Sequence, residues 1–518
     1  MNALPPLSLL TLVPLVGGLM VIGLGAERKR LARGLAFGFS LGALALALLL
    51  WHRFDAASGE LQFGERHAWI PTLGVEYRLG VDGLGLLMVL LSAIVVPMAM
   101  LASWRIQERV PLYFALVLFL QAGLFGTFTV LNFFHWFIFW ELSLIPAYFL
   151  IRLWGGPLAG PAATQFFLYT MAGSVALLLA FLAIFLSTRT FDFTDLAEMG
   201  RNGSLTAALS AALGWRELNS GPLSLIIFAG AFFGFAVKVP LFPFHTWLPP
   251  AYAEAPTGTT MLLTGAMSKM GVYGFLRILL PIFPEQMHWM LTPLLWLTVL
   301  SIVFSASAAF AQRDLKRVLA YSSINHVGFC LLGIFAVANF TGIDAASATA
   351  KSAALNGVFL QMFNHGLTAA ALFWFVGLLE QRSGGARGLD DFGGLRKVMP
   401  VFCGLMGIAL FASLGLPGLN GFVSEFLIIR GAFPLVTWAT ALSALGLLLT
   451  AVFILTILQR VFHGPLNQSW SKMPDLGLRE RLVLLPAIAL MFVLGLYPQV
   501  VLGVINSTVV QMVRERTF

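Results

Sequence analysis

The sequence predicts an all-α, polytopic membrane protein with about fourteen transmembrane helices. Of its 518 residues, 59% are hydrophobic and only 10% are charged, a balance that a water-soluble chain of this length could not keep in solution. Apolar runs of the roughly 20 residues that cross a bilayer recur along almost the whole chain. Strands of alternating polarity, which a membrane barrel requires, do not appear. The class is therefore helical.

We predict fourteen spans, the twelfth of them broken near Pro417 and Gly418. The first apolar run starts almost at Met1, without a basic region or a small-residue cleavage site, and is interpreted as a span rather than a cleaved signal peptide. Cys330 and Cys403 lie far apart in apolar segments, which indicates neither a disulfide framework nor a metal or iron–sulfur site. The predicted span centres are Val13, Leu44, Val89, Val117, Leu142, Leu177, Ile227, Gly265, Val299, Val327, Ala370, Phe411, Gly446 and Leu490.

Lysine and arginine are distributed unevenly between the predicted loops. The odd-numbered loops carry about twice as many of these residues as the even-numbered loops. By the positive-inside bias, the odd-numbered loops are predicted to be cytoplasmic and both chain termini to lie outside. A basic inner face also explains the net charge of +8, so that no nucleic-acid partner is required.

A few ionisable side chains fall inside the predicted spans, where a charge is costly unless it is paired or hydrated. Lys238 and Lys269 are the only lysines or arginines placed there. A structural role is the alternative for each histidine, and Lys238 could extend its charge from a helix end. Because Pro240 and Pro243 stop the helix and the apolar run then resumes, we predict that Lys238 lies at depth. The candidate partners are Glu141, Glu425, His135, His245, His326 and His365.

Two predicted helices are interrupted beside a charge. The first interruption, "AVKVPLFPFHTWLPP", follows Lys238 and leaves carbonyls that only protein or water can satisfy. The second, "SLGLPGLNGF", precedes Glu425. Broken helices at matching positions of two halves predict inverted repeats with an ion site near the midplane of the membrane. The predicted units are residues 1–110 (three N-terminal helices), 111–285 (first repeat), 286–465 (second repeat) and 466–518 (last helix and tail).

Six stretches resemble the antiporter-like subunits of respiratory complex I, and most closely their M-type members. Glu425 in the broken twelfth span favours the M-type, because the L- and N-type relatives usually carry lysine there. The chain also ends shortly after its fourteenth span, without the lateral helix typical of L-type chains. The six stretches are "NFFHWFIFWELSLIPAYFLIRLWGG", "AVKVPLFPFHTWLPPAYAEAPT", "LLTGAMSKMGVYGFLR", "RDLKRVLAYSSINHVGF", "QMFNHGLTAAALF" and "LPGLNGFVSEF".

The resemblance implies roles for seven residues. Glu141 would pair with Lys238, Lys269 would lie at the centre of the membrane, and Glu425 would be the terminal carboxylate from which the proton leaves. The residues implied to lie on the polar axis between these charges are His245, His326 and His365, and His135 is left out.

This chain departs from the family pattern at two places. After "HTWLP" the family commonly continues with an aspartate and then a histidine, whereas this chain has Pro250 and Tyr252. The segment 339–357 also looks longer than in common relatives. Neither departure touches a residue of the implied axis, and together they suggest a divergent lineage or a specialised complex.

The function implied by the resemblance is proton translocation by a multi-pass subunit of NADH:quinone oxidoreductase in a bacterial inner membrane. The implied partners are other membrane subunits, especially the L-type and N-type ones. NADH, flavin, iron–sulfur clusters and quinone are expected in partner subunits and no cofactor in this chain, which lacks a GxGxxG opening a βαβ unit. Proton is favoured over sodium because lysines and histidines bind protons, whereas hard cations require oxygen ligands.

Three alternatives stay open at this level. An Mrp-type cation/proton antiporter shares the same fold and lysines, and a membrane arm linked to a hydrogenase or a carbon-uptake module would share them too. A purely structural membrane scaffold is the third alternative, and the paired charges inside both halves argue against it.

Overall fold

The computed structural model describes residues 5–213, 220–339 and 344–514. The first half of the described chain is helical apart from one two-stranded antiparallel hairpin. Its elements are α1 (Pro6–Ile22), α2 (Lys29–Arg53), β1 (Gln62–Ile70), β2 (Val75–Val81), α3 (Gly83–Ala102), α4 (Val110–Thr129), α5 (Phe133–Trp154), α6 (Ala159–Thr188), α7 (Phe193–Arg201), α8 (Ser204–Leu213), α9 (Ser220–Lys238) and α10 (Leu248–Glu254).

The second half is helical throughout its described part. Its elements are α11 (Thr257–Leu262), α12 (Ser268–Gly274), α13 (Leu280–Ile282), α14 (Pro284–Trp289), α15 (Leu291–Ala311), α16 (Leu315–Val337), α17 (Ala345–Arg382), α18 (Pro400–Leu414), α19 (Asn420–Ala432), α20 (Thr437–Ile457), α21 (Leu478–Leu496) and α22 (Gln499–Arg514). The segment predicted to be long, 339–357, includes four residues outside the description (340–343), and from Ala345 onward it belongs to α17.

Every predicted span centre lies in a helix or in a π-helical turn that continues one. Ten helices of the described chain are long and apolar enough to cross a membrane, and α21 with α22, bent by 69°, would add one more as a single broken span. The predicted count of fourteen is therefore not reproduced by length and composition. The first predicted span, α1, has only 17 residues, the eighth is divided into short α-helices by π-helical turns, and the twelfth is broken.

The eighth predicted span contains two π-helical turns, Leu263–Met267 and Phe275–Leu279, on either side of α12. Together with α11 and α13 they form one continuous helical segment that carries Lys269. A π-helical turn widens the backbone locally and is frequent at functional sites. Lys269 thus sits in the one regular stretch between two distortions.

Two broken helices are confirmed. The first break separates α9, whose last residue is Lys238, from α10, and it contains Pro240 and Pro243. The second separates α18 from α19, and its two glycines, Gly415 and Gly418, have φ angles of +82° and +92° that side chains disfavour. Both breaks fall at the prolines and glycines from which they were predicted.

The connecting loops gather on two opposite faces, according to whether they are odd- or even-numbered. Because α9 starts on the even face and α18 starts on the odd face, the two broken helices run in opposite directions, as expected for inverted repeats. The contacts that join odd loops are Arg33–Ile106, Trp154–Glu108, Gly156–Glu254, Arg387–Asp314 and Gly394–His463, and those that join even loops are Leu131–Arg78 and Phe133–Phe191.

The β-hairpin is the exception to the all-α prediction. It pairs β1 with β2, with His67 opposite Tyr77, and lies on the even face between α2 and α3. Its register shifts twice within six paired positions, so the alternation of inward and outward side chains is broken. This irregularity explains why a search for alternating polarity did not predict the hairpin.

The prediction that Lys238 and Lys269 are the only cations within spans is wrong. Arg277 lies in the second π-helical turn and binds Asp82, the N-cap residue of α3. Lys316 is buried in α16 with its Nζ 2.7 Å from Glu380, and Lys351 lies in the long helix α17. A carboxylate partner lowers the cost of burying Arg277 and Lys316, which hydropathy alone cannot register.

We expect Asp82→Asn to lower the thermal stability of the protein substantially. The change leaves the largely buried Arg277 guanidinium without its carboxylate, and losing one partner of a buried pair costs on the order of 3 kcal/mol. Thermal unfolding in detergent measures the effect. Glu76→Gln is the matched control, because the Arg66–Glu76 pair is solvent-exposed and its loss should change little. Equal melting temperatures for the two variants would contradict the role of the buried pair.

Candidate functional site

Lys238 is held by helix α5 rather than by a carboxylate. Its Nζ donates a hydrogen bond to Ser143 Oγ at 3.4 Å and lies 4.7 Å from the centre of the Trp140 ring. The Trp140 indole is itself fixed, because its Nε1 donates to Ser174 Oγ at 3.0 Å. A hydroxyl and an aromatic face stabilise an ammonium only weakly, so Lys238 occupies a site that can bind or release a proton.

Glu141 lies on the same helix, one position after Trp140 and two before Ser143. It is half-buried, and its Oε1 is buried without a hydrogen-bond partner among the described residues. Within the described residues, no ion pair joins Glu141 to Lys238. The implied Glu141–Lys238 ion pair is not formed among the described residues, and it stays a prediction. A buried, unsatisfied carboxylate oxygen is costly, which favours a second state in which it is paired.

Lys269 has a denser polar shell than Lys238. Its Nζ lies 2.7 Å from His365 Nδ1, 2.5 Å from the carbonyl oxygen of Thr264 and 3.2 Å from Ser268 Oγ. Because the histidine nitrogen can accept a proton that the ammonium donates, this contact suits direct proton exchange. The π-helical turn that contains Thr264 directs its carbonyl group to the lysine.

The polar contacts continue beyond His365 to a second pair, His326 and Glu425. The ring centres of His365 and His326 are 5.5 Å apart, and His326 Nδ1 lies 2.7 Å from Glu425 Oε1. Glu425 Oε1 also accepts a hydrogen bond from Gln361 Nε2 at 3.1 Å, and His326 Nε2 lies 3.0 Å from Ser413 Oγ. Helices α12, α16, α17 and α19 therefore bring Lys269, His365, His326 and Glu425 into one buried row.

Two cavities lie at or beside this row. The larger reaches from the second broken helix to His365 and has room for a water molecule. The smaller is lined by Lys238 and Ser268 and has no room for a water molecule. The polar residues that line the larger cavity include Ser323, His326, Gln361, Asn364, His365 and Glu425.

The other two candidate histidines, His245 and His135, lie apart from the row. His245, in the first break, stacks on Phe242 at 5.5 Å and approaches Tyr321 at 6.3 Å, and its Nδ1 has no hydrogen-bond partner among the described residues. The structure therefore does not bring His245 into hydrogen-bond contact with the other candidates, and its place on the axis stays a prediction. His135 packs against Trp69 and Tyr77 of the hairpin.

Several polar contacts were missed by the sequence analysis. In α17, Gln361, Asn364, His365 and Thr368 recur at intervals of three and four residues, so they share one face of a largely apolar helix. That spacing was a usable signal for a polar stripe. Ser143 was not singled out from the sequence, because a lone serine in a span usually donates its hydroxyl hydrogen bond to a carbonyl oxygen of its own helix.

The side chains of the row are of the kind that exchange protons. Within the described residues, no group of three or more His, Cys, Asp or Glu side chains is arranged to hold a metal ion. The row instead alternates proton donors and acceptors, and a water molecule fits between the histidines and the second break. Such an arrangement can store and pass a proton inside a membrane.

Comparison with known proteins gives a family match and full-length relatives. Residues 130–453 match the family described as "NADH:quinone oxidoreductase/Mrp antiporter, TM". NADH-quinone oxidoreductase subunit M of Rhodobacter capsulatus is 36% identical over 98% of this chain and 96% of its own. F(420)H(2) dehydrogenase subunit M of Methanosarcina mazei is 35% identical over 98% of this chain and 97% of its own.

Among solved structures, a chain of respiratory complex I from Thermus thermophilus superimposes with a TM-score of 0.82 at 28% identity, covering 98% of this chain and 99% of that one. The fold, the family match and the full-length relatives all indicate the same family. This chain belongs to the NADH:quinone oxidoreductase/Mrp antiporter family of membrane proteins, together with the M subunits.

Proposed function

We propose that this chain is the M-type, proton-translocating subunit of a membrane-bound NADH:quinone oxidoreductase. The observation that carries the proposal is the buried row Lys269–His365–His326–Glu425, whose terminal contacts are both 2.7 Å long. Protons would reach Lys269 from Lys238 and leave through Glu425. Residues 111–285 and 286–465 would form two inverted half-channels, each containing one of the broken helices.

Glu141 would couple this row to its neighbour in the complex. Trp140, Glu141 and Ser143 stand on one helix, α5, and two of the three already contact Lys238. A small shift of α5 would exchange the Ser143 contact for a Glu141 ion pair. Because a nearby carboxylate favours the charged form of a buried lysine, that shift would change how tightly Lys238 holds its proton. Since Glu141 is only half-buried, a neighbouring subunit can act on it.

The proposed host is a complex with several antiporter-like subunits. The L-type and N-type subunits are the proposed neighbours, and a bacterial inner membrane, with the odd face cytoplasmic, is the proposed location. NADH, flavin, iron–sulfur clusters and quinone would be bound by other subunits. Relatives of nearly equal identity are named for different dehydrogenases. The residues of this chain therefore support a role in proton transfer and do not identify the electron donor.

Reconstitution tests the proposal. The purified complex, placed in sodium-free vesicles with an enclosed pH dye, should change the internal pH when NADH and a quinone are added. Collapse of the signal by a protonophore, with electron transfer continuing, would identify proton pumping. A complex that transfers electrons in these vesicles without moving protons would contradict the proposal, and a requirement for added sodium would favour the cation antiporter alternative.

We expect Glu141→Gln to lower coupled turnover by about tenfold while the complex still assembles. The amide keeps the shape of the side chain but cannot supply the charge that modulates Lys238. Turnover and pumping in vesicles measure the effect. Glu198→Gln is the matched control, because Glu198 is exposed on α7 and should leave both rates unchanged. Parental turnover in a fully assembled Glu141→Gln complex would remove Glu141 from the mechanism.

A further inference from the structure

The passage between Lys238 and Lys269 lies outside the row and differs from it in leaving no room for a water molecule to carry the proton. The cavity that Lys238 shares with Ser268 is too narrow for a water molecule. Lys269 Nζ is reached from this side through Ser268 Oγ, 3.2 Å away. The residues that line the cavity are Lys238, Trp247, Tyr252, Leu263, Met267 and Ser268.

Apart from Lys238 and Ser268 themselves, only Tyr252 among these lining residues can both donate and accept a proton. Leu263 and Met267 have no exchangeable proton, and the Trp247 indole can only donate and already donates to the carbonyl oxygen of Val237 at 3.0 Å. A phenol hydroxyl both donates and accepts. The side chain of Tyr252 is 1% exposed, and it lines the same cavity as Lys238 and Ser268.

The position of Tyr252 is fixed by the first broken helix. It lies in α10, immediately after the break, and its ring meets Phe373 of α17 at 5.7 Å and Trp247 at 6.5 Å in edge-on contacts. These contacts hold the ring of Tyr252 at the cavity wall. The break thus places both Lys238 and Tyr252 on the same cavity.

We propose that Tyr252 is the relay residue that passes the proton from Lys238 to Lys269, an inference that rests on the proposed function. In the forward step, a Lys238 N–H bond breaks as an O–H bond forms on Tyr252. The original phenol proton moves to Ser268 Oγ, and the serine proton, which binds the carbonyl oxygen of Thr264 in this structure, turns and moves to a neutral Lys269 Nζ. One proton leaves Lys238 and one arrives at Lys269, while both hydroxyls remain neutral and need only rotate before the next transfer.

The test is the Tyr252→Phe variant of the intact complex in pH-dye vesicles. Phenylalanine keeps the ring contacts and removes only the hydroxyl, so we expect coupled pumping to fall about tenfold or more with the complex assembled. Tyr252→His, whose ring both accepts and donates, should recover at least about half of the parental rate. Tyr113→Phe is the matched control, because it removes a buried phenol hydroxyl that binds Ser103 and Thr259 away from the row, and it should pump normally.

Three results would overturn the relay. The first is parental pumping by Tyr252→Phe, the second is an equal loss in Tyr113→Phe, and the third is a Tyr252→His complex as slow as Tyr252→Phe. A slower proton step should also raise the solvent deuterium isotope effect on turnover, which a merely structural defect would leave unchanged. Pumping by the parent and its block in Lys238→Arg test the proposed function separately, so the relay can fail while that function stands.

Discussion

Lys238→Arg should abolish proton transfer through this chain while the complex remains assembled and loaded with its cofactors. Arginine keeps the positive charge next to Trp140 and Ser143, so the electrostatic environment of α5 is retained. Its guanidinium practically never deprotonates, and it therefore cannot pass on a proton. We expect coupled turnover to fall by about a hundredfold, within the range that general acid–base groups contribute.

The measurement is pumping and NADH oxidation in sealed vesicles, with assembly checked by gel filtration. Lys238→Met removes both the charge and the exchangeable proton and should give the same block as Lys238→Arg, which removes only proton exchange. Lys472→Arg, at an exposed loop position, is the matched control and should behave like the parent. A Lys238→Arg complex that pumps at the parental proton-to-electron ratio would show that Lys238 acts only as a fixed charge.

The residues of the row were predictable from the sequence because each is an ionisable side chain in a largely apolar helix. Lys269, His326, His365 and Glu425 were found by the cost of burying an ionisable group. Their order in space was not predictable from that cost, since it depends on how α12, α16, α17 and α19 pack against one another. The resemblance placed the two histidines between Lys269 and Glu425 without ordering them, and the structure brings the four side chains together in the order Lys269, His365, His326, Glu425.

The failures have physical causes as well. Arg277 and Lys316 were placed in loops because a hydropathy window ends at a charge, whether or not a distant carboxylate neutralises it. The partners Asp82 and Glu380 are 195 and 64 positions away in the sequence, beyond any local pattern. Tyr252 drew attention only as a departure from the family pattern. Its place on the cavity depends on the geometry of the break.

The second large effect is expected at Glu425, the last residue of the row. Its Oε1 receives two contacts, from His326 Nδ1 at 2.7 Å and from Gln361 Nε2 at 3.1 Å, and the side chain is buried. A buried carboxylate that faces a histidine can hold the proton that the histidine releases. Without it, a proton arriving from Lys269 and His365 has no acceptor beyond His326.

We expect Glu425→Gln to block pumping as fully as Glu425→Ala, by about a hundredfold, because the amide preserves the shape and the contact with His326 but holds no proton. Glu425→Asp should retain part of the activity, since the charge remains and the carboxylate is withdrawn by only one methylene. Vesicle pumping compares the three variants, with the exposed Glu27→Ala as control. The three variants distinguish three roles. Loss of pumping in Glu425→Ala alone would indicate a packing role, and loss in all three variants would indicate that the position tolerates no change. Loss of pumping in Glu425→Gln and Glu425→Ala, but not in Glu425→Asp, would indicate a carboxylate that holds a proton. Parental pumping by Glu425→Gln would mean that the proton leaves the row before Glu425.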